Sequence, residues 1–228
     1  EAQIEHVLRN VNGYHSRTSS DYDAALCLIP DDVIDFVIAT QPESWDKLTK
    51  VYGANTRAKF LNRLTDAIER YGTLDVLRKG IKDAGIRFWL VFFRPSSSRN
   101  TDTQRRYAAN RFSLVRQLFF SQKDRKSLDL TLFLNGLPIF TAELKNHFTA
   151  QTVQHAMRQY RKDRSPKEPL FAFGRCLAHF AVDPDLVYVT SHLRGDKTHF
   201  LPFNKGRDGG AGNPPVWGSF ATHYLWED

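Results

Sequence analysis

The sequence predicts an α/β protein in which a mainly helical N-terminal part precedes a core of strands. Residues 1–84 carry apolar side chains at helical spacing, whereas runs rich in aromatic and branched residues begin at Arg87. Asn135 and Gly136 stand between two such runs, which is a strong hairpin signal. A length of 228 residues and a hydrophobic fraction of 41% suit one ordinary globular core.

The helical part is predicted from its periodicity and its stop signals. The first twelve residues form an amphipathic helix, since Ile4, Leu8 and Val11 share one stripe. A second helical pattern follows Pro30, and two further patterns end at Gly72.

The core begins with a predicted strand over 87–93, whereas 112–120 fits either a strand or a helix. A later helix over 149–164 has Thr149 or Thr152 available as its N-cap. Further strands are predicted at 128–134, 138–145, 177–182, 186–190 and 198–201.

The last part of the sequence, 205–228, is predicted to be a linker and the start of a following region. Its first half, 205–215, is rich in glycine and proline. No Gly-Lys-Ser/Thr follows these glycines, so no ATP-binding phosphate loop is predicted. Met157 is the single methionine, so we expect the chain to be a piece of a larger polypeptide.

The charge balance favours a polyanionic partner, nucleic acid first. Lysine and arginine number 32 against 25 acidic residues, a net charge of +7. The sequence has no apolar run of eighteen residues and no secretory leader, so no membrane partner is expected. Two cysteines, Cys27 and Cys176, suit a reducing compartment, and a cytoplasmic location is expected.

The predicted hairpin carries charged residues that a purely structural hairpin does not need. Asp129 lies on its first strand, and Glu143 and Lys145 share one face of the second. Charges within apolar strands require partners, and a metal ion is one. Mg²⁺ prefers oxygen ligands, so Asp129, Glu143 and the backbone carbonyl of Leu144 are its predicted ligands. Lys145 would face a scissile phosphate or an attacking water, which predicts phosphodiester hydrolysis.

This metal site requires a particular strand register. With a plain two-residue turn at Asn135 and Gly136, Asp129 would oppose Ala142 and lie on the face opposite Glu143. The site therefore requires a three-residue loop or a β-bulge. Oxygens on opposite faces, or oxygens buried against arginines with no room for an ion, would argue against hydrolysis.

The pattern of Asp129 followed by Glu143-x-Lys145 resembles the PD-(D/E)xK nuclease signature, with Leu128 in place of the usual proline. Longer segments resemble the N-terminal nuclease domain of type I restriction enzyme R subunits, in family order. These segments are TQP at 40–42 with Trp45, LFLNGLPI at 132–139, ELKN at 143–146, QYRKDR at 159–164, HFAVD at 179–183 and FLPFN at 200–204.

The resemblance implies a restriction-endonuclease-like core, with a mixed central sheet flanked by helices. The nuclease domain would span 1–204, divided into a helical part, 1–84, and a catalytic α/β core, 85–204. The resemblance also implies Mg²⁺-dependent cleavage of double-stranded DNA. Specificity and methylation subunits would be partners, and ATP would serve only the translocase of the full-length subunit.

The resemblance also suggests accessory residues. Glu1, and after it Glu5, could supply an additional acid beside the metal, although surface acids on a helix commonly serve solubility. The family places a glutamine and, four residues later, a tyrosine on the helix after Glu-x-Lys. Here Asp163 stands at that spacing from Gln159, so Gln159 is the first candidate and Gln154 the second. The predicted DNA-contacting residues are Arg158, Gln159, Tyr160, Arg161, Lys162 and Arg164.

Two alternatives remain open at this point. The chain could be a catalytically silent DNA-binding or docking module of the same fold, although such a module has no need of a metal-ready pair of acids. It could also be a stand-alone repair or recombination nuclease that shares only the general signature, which the longer family-like segments disfavour.

Overall fold

The computed structural model describes residues 1–96, 99–146, 150–208 and 210–227. The helices in these ranges are α1 (Ala2–Asn10), α2 (Pro30–Thr40), α3 (Pro42–Tyr52), α4 (Thr56–Tyr71), α5 (Thr73–Lys79), α6 (Thr101–Ala108), α7 (Val153–Asp163) and α8 (Tyr224–Glu227). The strands are β1 (His15–Arg17), β2 (Ile81–Asp83), β3 (Ile86–Phe88), β4 (Phe112–Phe119), β5 (Ser127–Leu134), β6 (Leu137–Leu144), β7 (Ala178–Val182), β8 (Val187–Thr190) and β9 (Leu201–Pro202).

One mixed sheet organises the described chain. Its strand order is β1-β4-β5-β6-β7-β8-β9, and β2 and β3 form a separate hairpin. The pairs β1–β4 and β6–β7 are parallel, whereas the other neighbouring pairs are antiparallel. A mixed sheet flanked by helices confirms the predicted fold class and is compatible with a restriction-endonuclease-like core.

Helices cover both faces of the sheet. On one face, Val153, Ala156 and Met157 of α7 share a buried apolar cluster with Leu128 and Ala181. On the other face, α1 and α8 share a second cluster with the sheet, which includes Leu8, Trp226, Leu114, Leu130 and Val182. Burial of these apolar surfaces stabilises the layers.

The N-terminal helices follow the predicted start and stop signals. Pro30 and Pro42 occupy the first turns of α2 and α3, where a missing N–H costs no hydrogen bond. Gly72 ends α4 with a φ of 82°. Thr152 is the N-cap residue of α7, and Thr149 lies outside the described residues. No helix in the described ranges combines the length and apolarity needed to cross a bilayer.

Two strand predictions needed correction. The strand expected over 87–93 is only the three residues of β3, because the side chain of Gln41 bonds both the N–H and the C=O of Trp89. The strand expected over 198–201 begins only at Leu201. The helical part also contributes β1, which lies parallel to β4 at the sheet edge.

The last described residues, in α8, pack on the sheet. Tyr224 and Trp226 are buried, and the Tyr224 hydroxyl donates to the Phe203 carbonyl at 2.6 Å. The Asn12 side chain donates to the Trp226 carbonyl at 2.8 Å. The aromatic side chains of Tyr224 and Trp226 thus complete an apolar cluster on the sheet, and the assignment of 205–228 to a linker and the start of a following region stays a prediction.

Candidate active site

A β-bulge follows the turn between β5 and β6. Asn135 and Gly136 form a two-residue turn with φ values of 50° and 81°. Positive φ at both positions is what a tight hairpin turn of this kind requires. The register then shifts between Leu132 and Phe133, so β6 contains one residue more than β5 in this stretch.

The bulge determines on which face of the sheet the candidate catalytic side chains lie. Beyond it Leu130 pairs with Ala142, so Asp129 is the next residue opposite Glu143. Lys145 shares the face of Glu143 because strand side chains alternate. The two-residue turn without a bulge would have separated the acids, and the bulged alternative anticipated from the sequence is the one observed.

Glu143 is fully buried beside an arginine. Its Oε1 accepts a hydrogen bond from Arg164 Nε at 2.7 Å, and the Arg164 side chain is only 3% exposed. Its Oε2 is buried without a hydrogen-bond partner. Burial raises the pKa of Glu143 to about 8, against the opposing charge of Arg164 and with a further contribution from Asp129. One oxygen of Glu143 is therefore engaged with Arg164, and the other has no hydrogen-bond partner.

Asp129 is held by the next strand and lies beside the lysine. Its Oδ2 accepts a hydrogen bond from the Leu144 backbone N–H at 2.7 Å and lies 3.8 Å from Lys145 Nζ. Its Oδ1 lies 3.4 Å from Gln117 Nε2. The side chains of Asp129 and Lys145 are 17% and 12% exposed, so the pair is partly accessible to solvent.

The first helix brings further acids to the edge of the site. Glu1 Oε1 accepts a hydrogen bond from Gln117 Nε2 at 2.8 Å, and the same amide faces Asp129. Glu5 instead accepts from Arg116 at 2.6 Å and from Ser16 at 2.9 Å. Arg116 lowers the pKa of Glu5 through this bond. Glu1 thus lies nearer to the catalytic candidates than Glu5, in the order that the sequence suggested.

The donor set fits a hard divalent cation. The described residues contain no group of three or more His, Cys, Asp or Glu side chains that could hold a metal. Mg²⁺ does not require such a group, since it commonly binds one or two carboxylates and keeps several waters. Asp129 and Glu143 are the two carboxylates that such an ion would use, and the buried Oε2 of Glu143 has no hydrogen-bond partner, which is costly for a carboxylate oxygen.

A polar stripe of α7 borders Lys145. Five side chains of α7, at helical spacings of three and four residues, line an open cleft of about 410 Å³ together with Lys145. Arg158 and Gln159 belong to this stripe, and Gln154 is not among the residues that line the cleft. The complete lining is Lys145, Gln151, His155, Arg158, Gln159, Lys162 and Asp163.

Three of the six predicted DNA-contacting residues lie elsewhere. Tyr160 is fully buried and bonds the Thr141 hydroxyl at 2.8 Å, so it cannot reach DNA in this arrangement. Arg164 is buried between Glu143 and the Ser127 carbonyl and has no surface for a phosphate. Arg161 donates to a carbonyl on a neighbouring loop and does not line the cleft.

Sequence reasoning missed two roles. Gln117 links Glu1 with Asp129, and the signal available was the pair of adjacent polar residues, Arg116 and Gln117, within an apolar strand. The sequence predicts Arg164 as one of several basic residues that contact DNA. Its pairing with Glu143 has no sequence signal, because the two residues are 21 positions apart.

Comparison with known proteins identifies the family. The family model described as type I restriction enzyme R protein N terminus matches residues 41–198, more than half of the chain. The matched range contains Asp129, Glu143 and Lys145, as well as the α7 stripe. No individual curated protein matches the chain. The chain belongs to the family of type I restriction enzyme R protein N termini.

Proposed function

We propose that the chain is the DNA-cleavage module of a type I restriction R subunit, a Mg²⁺-dependent endonuclease domain. Its substrate is double-stranded DNA, and its partners are the specificity and methylation subunits of the parent complex. The observation that carries the proposal is the bulged register that sets Asp129 opposite Glu143, with Lys145 Nζ 3.8 Å from Asp129.

Asp129 and Glu143 are the proposed cation ligands, with the Leu144 carbonyl as a further oxygen donor and Glu1 as an accessory acid. A bound divalent cation supplies a Lewis acid for the phosphate and an acidified water molecule. Arg164 holds Oε1 of Glu143 and so directs Oε2 away from the buried guanidinium. The carboxylate thus stays in one orientation within an apolar surrounding.

Lys145 is the proposed phosphate-facing residue. It borders the α7 cleft on one side and, on the other, a cleft of about 440 Å³ that also contains Glu1. An ammonium at this junction attracts a phosphate and stabilises the negative charge that develops on its oxygens. Arg158 and Lys162 extend the positive surface along the cleft and would contact neighbouring phosphates.

The second candidate function is a catalytically silent DNA-binding module of the same fold. The Arg164–Glu143 ion pair favours it, because a buried carboxylate that is already paired has part of its charge neutralised. The free Oε2 and the nearby lysine favour the nuclease instead, since a binding module requires neither.

The test uses the R subunit assembled with its partner subunits. Asp129→Ala, Glu143→Ala and Lys145→Ala should each reduce DNA cleavage by about 100-fold or more. ATP-driven translocation and DNA binding should persist. Asp124→Ala, which removes an exposed acid in the loop before β5, is the matched control and should cut normally. Full cleavage by the Asp129→Ala or Glu143→Ala variant would support the silent module and overturn the nuclease proposal.

A further inference from the structure

The backbone of β4 is distorted at Gln117. The φ of Gln117 is 50°, and no other non-glycine residue in the described strands has a positive φ. Both Arg116 and Gln117 are exposed, although a strand normally alternates, and the flanking Val115 and Leu118 are buried. Non-glycine residues in the left-handed region are strained, and such strain concentrates at functional sites.

The distortion places the Gln117 amide between two carboxylates. Its Nε2 donates to Glu1 Oε1 at 2.8 Å and lies 3.4 Å from Asp129 Oδ1. The Ser127 hydroxyl donates to Oε1 of the same amide at 2.8 Å. This third contact fixes which end of the amide faces the acids, because a reversed amide would set an oxygen against two carboxylates.

A primary amide suits this position better than a charged side chain. It has two N–H donors, one for each carboxylate, and no net charge of its own. A lysine there would compete with a cation for the same oxygens, and an acid would add repulsion to the carboxylates of Glu1 and Asp129. The amide therefore separates Glu1 from Asp129 while leaving their charges available.

We propose that Gln117 is a positioning residue of the cation site, which orients Asp129 and tethers Glu1 of α1 beside it. The inference rests on the proposed function, since it assigns a role toward the cation that Asp129 would bind. Gln117 itself is not a ligand, because its oxygen is engaged with Ser127 and its nitrogen faces the acids. Residues that orient metal ligands commonly change metal affinity by about 10- to 100-fold when removed.

The experiment measures Mn²⁺ binding to this chain by electron paramagnetic resonance, at a temperature where every variant is folded. Gln117→Met keeps the side-chain length and the backbone strain but removes the amide. Gln117→Gly removes the amide and relieves the strain, so either variant keeps the test usable if the other fails to fold. Gln122→Met, an exposed glutamine after β4, is the matched control. Asp129→Ala removes a proposed cation ligand and so tests whether Mn²⁺ binds at this site.

The expected result is Mn²⁺ binding about ten-fold weaker in both Gln117 variants, with thermal midpoints near that of the unmodified chain without metal. The control should bind normally, and Gln117→Asn should recover part of the affinity, because it retains a donor and tolerates a positive φ. Unchanged affinity in a folded Gln117 variant, with binding lost in Asp129→Ala, would overturn the positioning role alone. Unchanged affinity in Asp129→Ala would overturn the proposed function and this inference together.

Discussion

Asp129 lies opposite Glu143 because β6 carries one residue more than β5 between the turn and the site. A strand side chain changes face with every residue, so this single residue decides whether the two carboxylates can share a cation. The turn at Asn135 and Gly136 precedes this bulge, and it packs closely against the start of α2.

Gly136 should be the most sensitive position of that turn. A Cβ at Gly136 would lie 2.5 Å from the Ile29 carbonyl oxygen and 2.7 Å from a Val33 methyl carbon, at a φ of 81°. Gly136→Ala should lower the free energy of unfolding by about 3 kcal/mol, through both strain and overpacking. Gly85 has the same φ and open space around it, so Gly85→Ala should cost only about 1 kcal/mol. Equal losses in urea unfolding would contradict the close packing of the turn.

Glu143 should make metal-free stability depend on pH in an unusual direction. Its pKa is raised to about 8 in the folded chain, so the folded state binds its proton more tightly than the unfolded state. The contribution of Glu143 to the free energy of unfolding is fully present below its unfolded pKa of about 4.3. It is lost as the pH rises toward 8, by at most about 1.4 kcal/mol per pH unit. Glu143→Gln should remove this slope, and Glu43→Gln, at an exposed position of α3, should retain it. Urea unfolding between pH 5 and 9 measures it, and parallel curves for Glu143→Gln and the unmodified chain would contradict the burial of an acid.

Arg158 should contact a DNA phosphate, whereas Arg161 should contribute less. Arg158 lines the cleft that contains Lys145, and Arg161 donates to the Thr198 carbonyl with its guanidinium over Phe200. Arg158→Gln should weaken DNA binding and reduce the slope of log affinity against log salt by about 0.9, the value for one phosphate. Arg161→Gln is the matched control from the same helix. Fluorescence anisotropy at several salt concentrations measures both, and a larger change at Arg161 would place the DNA elsewhere.

Tyr160 should act in the core and not at the DNA surface. Its hydroxyl bonds Thr141, whose oxygen also contacts His179 Nδ1 at 2.8 Å. Tyr160→Phe should cost about 1 kcal/mol of folding stability and leave DNA affinity unchanged. Tyr71→Phe, at an exposed position at the end of α4, should change neither quantity. A loss of DNA affinity in a fully folded Tyr160→Phe variant would restore the DNA-contact role predicted from the sequence.

The sequence by itself determined the α/β class, the helical start and the identity of the candidate acids. Periodicity, Pro30 and Gly72 were sufficient for the helices, since these signals act within a few residues. Asp129, Glu143 and Lys145 were recognisable because charged residues in apolar strands need a partner. The same reasoning required a bulge or an odd loop without being able to choose between them.

Only the tertiary structure decided which side chains meet. The bulge, the burial of Tyr160 and Arg164, and the position of Gln117 between Glu1 and Asp129 all depend on contacts between segments distant in the chain. Local patterns report on the face of an element, but the partner of that face is set by how strands pair and helices pack. On α7, the 3.6-residue period therefore separates Arg158 and Lys162, which line the cleft, from Arg161, which packs on a neighbouring loop.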